Sequence, residues 1–198
     1  METISSNMQA KLASTVKKHI KIHQAIAEQG KLYALEGNHD LACRYYKHAM
    51  QMAVQSEENH SFLKHYLECL LESLELTANY GSVTSYCDQM IGHYLNHTAD
   101  PEISRSAALL FQRKGVILLK MKQTDEAVKC LQRSQQIMEE EGKNMPLAQN
   151  LLFMVASGLQ LDNQRILAEQ HRNGYFIVSK ELVQADIAIK LPEGSLVK

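Results

Sequence analysis

Apolar residues recur at helical spacing along most of the chain, and short clusters of turn-forming residues interrupt them. From about residue 60 the apolar side chains follow an i, i+4, i+8 repeat, typical of the buried face of a helix, at Phe62, Tyr66, Leu70 and Leu74. Turn-forming residues that interrupt a helix, which we call breakers, follow this stretch at Asn79-Tyr80-Gly81. The alternation of periodic stretch and breaker predicts an all-α chain of helices joined by short turns.

The breakers group the predicted helices into antiparallel pairs. Ser82 is the predicted N-cap of the helix that follows the turn in the second pair. Asp100-Pro101 is the predicted start of the third pair, because an Asp side chain accepts free amide protons and proline fits the first helical turn. We expect eight helices or slightly more, in four pairs over about residues 8–55, 59–97, 101–142 and 145–173.

The first and third pairs repeat the same intervals between small and large residues. A large residue, a glycine and a third position follow at intervals of four and three, and nine residues then span the turn to an alanine. The matching positions are Ile26, Gly30, Tyr33, Ala42, Tyr46 and Ala49 in the first pair, and Phe111, Gly115, Leu118, Ala127, Leu131 and Ser134 in the third. These intervals resemble the tetratricopeptide repeat (TPR) pattern W-x2-L-G-x2-Y followed by A-x3-F.

The resemblance covers about residues 20–142 and implies a right-handed α-solenoid of TPR-like antiparallel helix pairs. Small residues would then lie where paired helices approach. The second pair keeps the spacing but has Leu71 and Cys87 where the family prefers glycine and an aromatic residue, and the register of the fourth pair is open by one residue. Gly30, Leu71 and Gly115 correspond and are 41 and 44 residues apart, so the repeats are near 40 residues rather than the standard 34.

A different pattern begins at Gly174. Apolar residues then follow at i, i+4, i+7 and i+11, namely Val178, Leu182, Ala185 and Ile189. Because the last repeat of an array exposes apolar surface, we predict a repeat array over residues 1–173 and a C-terminal capping helix with a tail over residues 174–198. The alternation of Ile187, Ile189 and Leu191 leaves a strand as the alternative.

The number and placement of charged residues argue against several classes of protein. Lys and Arg number 21 against 22 Asp and Glu, a formal net charge of -1, which argues against a nucleic-acid-binding protein. Charged residues interrupt every apolar run before it is long enough to span a bilayer, and residues 1–25 lack the apolar core of a secretory signal. We therefore expect a cytoplasmic protein with no membrane segment.

The reactive side chains do not form a recognisable catalytic or metal motif. The spacing of the four cysteines, Cys43, Cys69, Cys87 and Cys130, matches no zinc or redox pattern and predicts reduced packing thiols. Two His-x3-His pairs, His19/His23 and His93/His97, lack the adjacent glutamate of a metalloprotease and are interpreted as surface histidines. We expect no enzyme activity, no cofactor and no metal site.

Three glutamates form the most informative polar set in the chain. Glu68, Glu72 and Glu75 follow at i, i+4 and i+7, which aligns three carboxylates on one helical face. In the TPR family the first helix of each pair lines the concave groove, so the resemblance places these glutamates there. The same reading places three basic residues beside this acidic centre, Lys31, Arg113 and Lys120. A solvated helix face is the alternative interpretation.

These observations favour a protein-protein interaction adaptor that binds a peptide or a helix of a partner, with a basic segment as the preferred chemistry. Two alternatives remain. The repeat length resembles that of peptide-sensing regulators, although no separate output domain is visible. Three-repeat TPR proteins with an extra terminal helix also serve as type III secretion chaperones. The sequence leaves a homo-oligomer open.

Overall fold

The computed structural model describes residues 21–56, 60–95, 101–192 and 194–196. These residues form eight α-helices and no strand, which confirms the predicted all-α class and the expected number of helices. Residues 8–20 of the predicted first pair and Asp100 lie outside the described residues. The helices are α1 (Ile22–Leu35), α2 (His39–Gln55), α3 (His60–Leu76), α4 (Tyr80–Tyr94), α5 (Pro101–Lys120), α6 (Thr124–Glu140), α7 (Pro146–Ala156) and α8 (Asn163–Arg172).

The turns lie close to where the breakers predicted them. Asn38 caps α2 by accepting a hydrogen bond from the amide of Leu41, and Asp162 caps α8 through the amide of Arg165 at 2.7 Å. The prediction that Ser82 caps α4 is wrong. Ala78 lies in the turn between α3 and α4 with a φ of 59°, and Asn79 is the N-cap residue of α4. The helix begins at Tyr80, so Ser82 lies within its first turn.

The described residues divide into two compact units. The first unit contains the residues up to Ser73 together with those from Ile177 onward, and the second contains Leu74–Phe176. The division falls within α3, so this helix contributes residues to both units. The first unit is therefore built from two stretches that are far apart in the sequence.

In the first unit α1 packs closely against α2. A Cβ atom placed on Gly30 of α1 would lie 2.8 Å from Cε1 of Tyr46, so only a glycine allows this approach. The apolar core next to this contact consists of Ile26, Ala27, Tyr45, Ala49, Ala53 and Tyr66. Ile26 and Ala49 of this core are two of the positions that the repeat intervals indicated.

In the second unit α5 packs against α4, α6 and α8, and α7 contacts both α6 and α8. Gly115 of α5 lies against Leu131, whose Cγ atom would be 2.7 Å from an added Cβ. Ser134 donates a hydrogen bond of 2.8 Å to the carbonyl oxygen of Ala108, which satisfies a hydroxyl that is fully buried. Gly30 and Gly115 thus have the same role in their units, each at the closest approach of two successive helices.

Residues 173–192 form no helix, and the predicted capping helix is wrong. The alternative of a strand is wrong as well, because these residues are turns and irregular backbone. The physical reason is that several of their amide groups donate to side chains and carbonyls of other elements. An amide that is bonded in this way cannot join the i→i−4 ladder of a helix.

Candidate functional site

Two residues of α1 form a buried ion pair in the first unit. The ammonium group of Lys31 lies 2.7 Å from Oε1 of Glu28, and the two residues are 6% exposed each. The second carboxylate oxygen of Glu28, Oε2, accepts a hydrogen bond of 2.8 Å from the backbone amide of Gln184. One carboxylate therefore neutralises a buried cation and binds the backbone of a distant segment.

Glu72 of α3 binds the same segment nearer its beginning. Its Oε2 atom accepts hydrogen bonds from two successive backbone amides, those of Ile177 at 2.8 Å and Val178 at 3.3 Å. Glu72 is 5% exposed. Because hydrogen bonds to an ionised acceptor are about twice as strong as neutral ones, a buried carboxylate is well suited to hold a peptide backbone.

Two further acceptors lie where the segment passes α1 and α2. The carbonyl oxygen of Ala25 accepts from the amide of Ile189 at 3.1 Å, and the hydroxyl of Tyr45 accepts from the amide of Leu191 at 3.0 Å. Burial raises the pKa of Tyr45 above its ordinary value, which keeps this hydroxyl protonated and neutral. We call residues 177–192 the return segment, and we call Ala25, Glu28, Tyr45 and Glu72 the acceptor face.

The side chains of the return segment contribute unevenly to this binding. Val178 is buried, Ile177 and Val183 are half-buried, and Leu191 packs against the apolar core of the first unit. In contrast, Leu182 is 64% exposed. The hydrogen bonds to the acceptor face all come from the main chain of the segment.

The second unit contains a separate buried cluster around the carboxylate of Glu75, which is 1% exposed. Oε1 of Glu75 lies 2.7 Å from the ammonium of Lys120 and accepts a 2.6 Å hydrogen bond from the amide of Gln170. Oε2 accepts a 2.7 Å hydrogen bond from the hydroxyl of Tyr175 and lies 3.9 Å from the guanidinium of Arg113. We call these five residues the Glu75 cluster.

The contacts of the Glu75 cluster hold several elements of the second unit together. Burial raises the pKa of Tyr175 well above its ordinary value, so the phenol keeps its proton and donates to Glu75. The guanidinium of Arg113 also lies over the ring of Tyr175, 5.3 Å from its centre. Glu75 therefore accepts three hydrogen bonds, and the guanidinium of Arg113 is a second cation near its carboxylate. The cluster joins α3, α5, α8 and the residues after α8.

The six residues singled out from the sequence are distributed between the two units. Glu72 and Lys31 lie buried in the first unit, together with the half-buried Glu68. Glu75, Arg113 and Lys120 come together in the second unit as one ion cluster. Glu72 and Glu75 thus bind groups of their own chain rather than facing solvent along an open stripe.

Sequence reasoning missed several members of both sites, namely Glu28, Tyr45, Gln170 and Tyr175. One available signal in the sequence was the i, i+3 spacing of Glu28 and Lys31 among small and apolar residues. The structure shows that the residues from Ala25 to Lys31 are all buried. Charged residues inside a run of small and apolar residues indicate buried pairing. No comparable local signal marked the phenol of Tyr175 or the amide of Gln170.

His23 differs from the predicted surface histidine. It is 3% exposed, and its Nδ1 atom lies 2.7 Å from the hydroxyl of Tyr66. His19 and His97 lie outside the described residues. All four cysteines are buried and free, which confirms the prediction of packing thiols.

Within the part of the chain that the structure describes, no cluster of three or more His, Cys, Asp or Glu side chains is arranged to hold a metal ion. In the same residues no helix has both the length and the apolar character required to cross a membrane. Comparisons of the chain with protein-family models, with curated proteins and with solved structures found no match.

Proposed function

We propose that the protein is a protein-protein interaction adaptor that binds an irregular peptide segment of a partner protein on the acceptor face. The observation that carries the proposal is the capture of the return segment by backbone hydrogen bonds to Glu28, Glu72, Tyr45 and Ala25. A surface that binds one irregular segment through its main chain has the chemistry needed to bind another.

The architecture we propose is a right-handed TPR-like α-solenoid. The support is local: Gly30 and Gly115 lie at equivalent close helix contacts, and both belong to the repeat intervals found in the sequence. In such an array the leading helix of each pair faces the groove, and Glu28 and Glu72 lie on the leading helices α1 and α3. The acceptor face would then be part of that groove.

The charge of the return segment differs from that of a purely basic peptide. The return segment contains Lys180 and Lys190 but also Glu181 and Asp186, so its formal charge is zero. The carboxylates of Glu28 and Glu72 accept hydrogen bonds from main-chain amides of the return segment. A partner peptide therefore needs free backbone amides at the right spacing more than it needs positive charge.

A peptide-display selection against the immobilised full chain tests this function. A selected peptide of about 16 residues that carries a photoreactive group should crosslink to α1, α2 or the part of α3 up to Ser73, because these stretches hold the acceptors of the acceptor face. An excess of the same peptide without the photoreactive group should abolish these crosslinks. Crosslinks confined to α6, where the exposed Glu126 lies in the other unit, would place the binding surface elsewhere.

A further inference from the structure

The return segment meets the acceptor face in a way that another segment could reproduce. The five amides that donate to the acceptor face belong to residues 177, 178, 184, 189 and 191, and all five are main-chain groups. A main-chain amide is present in every residue except proline. A peptide without proline at these five positions therefore carries the same donors and makes the same hydrogen bonds when it adopts the same backbone.

The return segment is also suited to detach from the acceptor face. It contains no helix, and three of its apolar residues, Leu182, Ala185 and Ile189, are exposed. Segments with few buried apolar contacts and irregular backbone open at low free-energy cost compared with packed helices. Release would make the carboxylates of Glu28 and Glu72 accessible to the amides of another segment.

This inference rests on the proposed function. We propose that the return segment is the resident ligand of the acceptor face, and that the partner binds by displacing it with a segment of the same kind. Such a partner segment adopts turns and irregular backbone, has no net charge and lacks proline at the five donor positions. It has apolar residues at the positions of Val178 and Leu191, the two that the first unit buries or packs into its core.

Displacement has a measurable consequence for affinity. A ligand that binds only the open state shows an affinity reduced by the fraction of molecules that are open. Weakening the return segment without touching the acceptor face therefore strengthens the binding of an added peptide. The full chain with Gln184→Pro and Ile189→Pro has this property, because it loses the amide donors to Glu28 and Ala25.

The experiment measures the binding of a fluorescent synthetic peptide with the sequence of residues 177–192. We expect at least tenfold tighter binding to the Gln184→Pro, Ile189→Pro chain than to the wild-type chain. The matched control, Gln184→Ala with Ile189→Ala, alters the same side chains but keeps both amides, and it should bind more weakly than the proline variant. A second peptide with proline at the positions of 184 and 189 should bind at least tenfold more weakly than the first.

A measurement on the wild-type chain makes the test independent of how the variants fold. Excess unlabelled peptide should speed the amide hydrogen exchange of the chain's own Gln184 and Ile189, because displacement removes their acceptors. Equal affinity of the wild-type chain and the proline variant, without faster exchange, would show that the return segment does not block the face. Binding of neither peptide to any form of the chain would overturn the proposed function itself. Equal binding of the two peptides would overturn recognition through the backbone.

Discussion

Gly115 determines how closely α5 approaches α6. A Cβ atom at this position would lie 2.7 Å from Cγ of Leu131 and 3.2 Å from the carbonyl oxygen of Ala127, so backbone as well as side chain would have to move. An alanine in place of a helix-interior glycine ordinarily stabilises by about 0.5–1 kcal/mol, whereas overpacking a filled core costs about 1–3 kcal/mol. We expect Gly115→Ala to lower the free energy of unfolding by about 1–2 kcal/mol in urea denaturation.

Gly92 of α4 provides the control for this prediction. Among the described residues, no atom beyond its chain neighbours and the backbone of its own helix lies within 4 Å of a Cβ built there, so the gain in helix propensity dominates. Gly92→Ala should therefore raise the free energy of unfolding by about 0.5–1 kcal/mol. If both alanine variants were stabilised equally, the close contact between α5 and α6 would not exist in solution.

Burial also determines how much an ion pair contributes to the free energy of unfolding. Glu75→Leu leaves Lys120 and Arg113 in the interior without the carboxylate that lies between their charges, and breaking such a buried group costs about 3–5 kcal/mol. The exposed pair of Asp88 and Lys114 is the comparison, because surface ion pairs contribute about 0–1 kcal/mol. Asp88→Ala should shift the urea midpoint little. A similar loss in the two variants would mean that the Glu75 cluster is solvated.

At the scale of the element, the return segment predicts an unusual pattern of hydrogen exchange. The amides of Ile177, Gln184 and Ile189 should exchange at least tenfold more slowly than that of Asp186, although none lies in regular secondary structure. A hydrogen-bonded amide exchanges only after its bond opens. Residue-resolved exchange by NMR measures this. Uniformly fast exchange across the segment would show that it does not bind the acceptor face.

The helices could be predicted from sequence because their signals are local. Asn38, Asp162 and Pro146 act within one turn of the helix that they start, and the breakers were recognisable without the fold. The return segment could not be predicted in this way. Its apolar spacing suits a helix, but the amide of Ile177 bonds to Glu72, 105 residues away, and that of Gln184 to Glu28, 156 residues away. Tertiary contacts here override a local preference.

The same distinction applies to the candidate site. Charge spacing was sufficient to select Glu72 and Glu75, because the alignment of charges on one helical face is visible in the sequence, and the TPR resemblance placed Arg113 and Lys120 beside them. Their partners were not visible, since Glu75 pairs with Lys120 over 45 residues and with Tyr175 over 100. Whether a carboxylate binds solvent, a cation or a main-chain amide depends on the folded neighbourhood alone.

At the scale of the whole molecule, the first unit depends on two distant stretches of chain. Its helices supply the acceptors Glu28, Tyr45 and Glu72, and the return segment supplies the donors and part of the apolar cover. The second unit is one continuous stretch, Leu74–Phe176, with an apolar core of its own. The loss of the return segment should therefore affect the two units unequally.

Truncation after Phe176 tests this asymmetry. Hydrogen exchange followed by mass spectrometry should show faster exchange in α1 and α2, because Glu28 and Tyr45 lose bonded donors and the core around Tyr45 loses the cover of Leu191. Exchange in α5, α6 and α7 should stay close to that of the full chain. Gly115→Ala gives the reciprocal control, since it should speed exchange in α5 and α6 and spare α1. Equal loss of protection in all these helices after truncation would show that the return segment supports the second unit as strongly as the first, and unchanged exchange in α1 would show that the acceptor face does not depend on it.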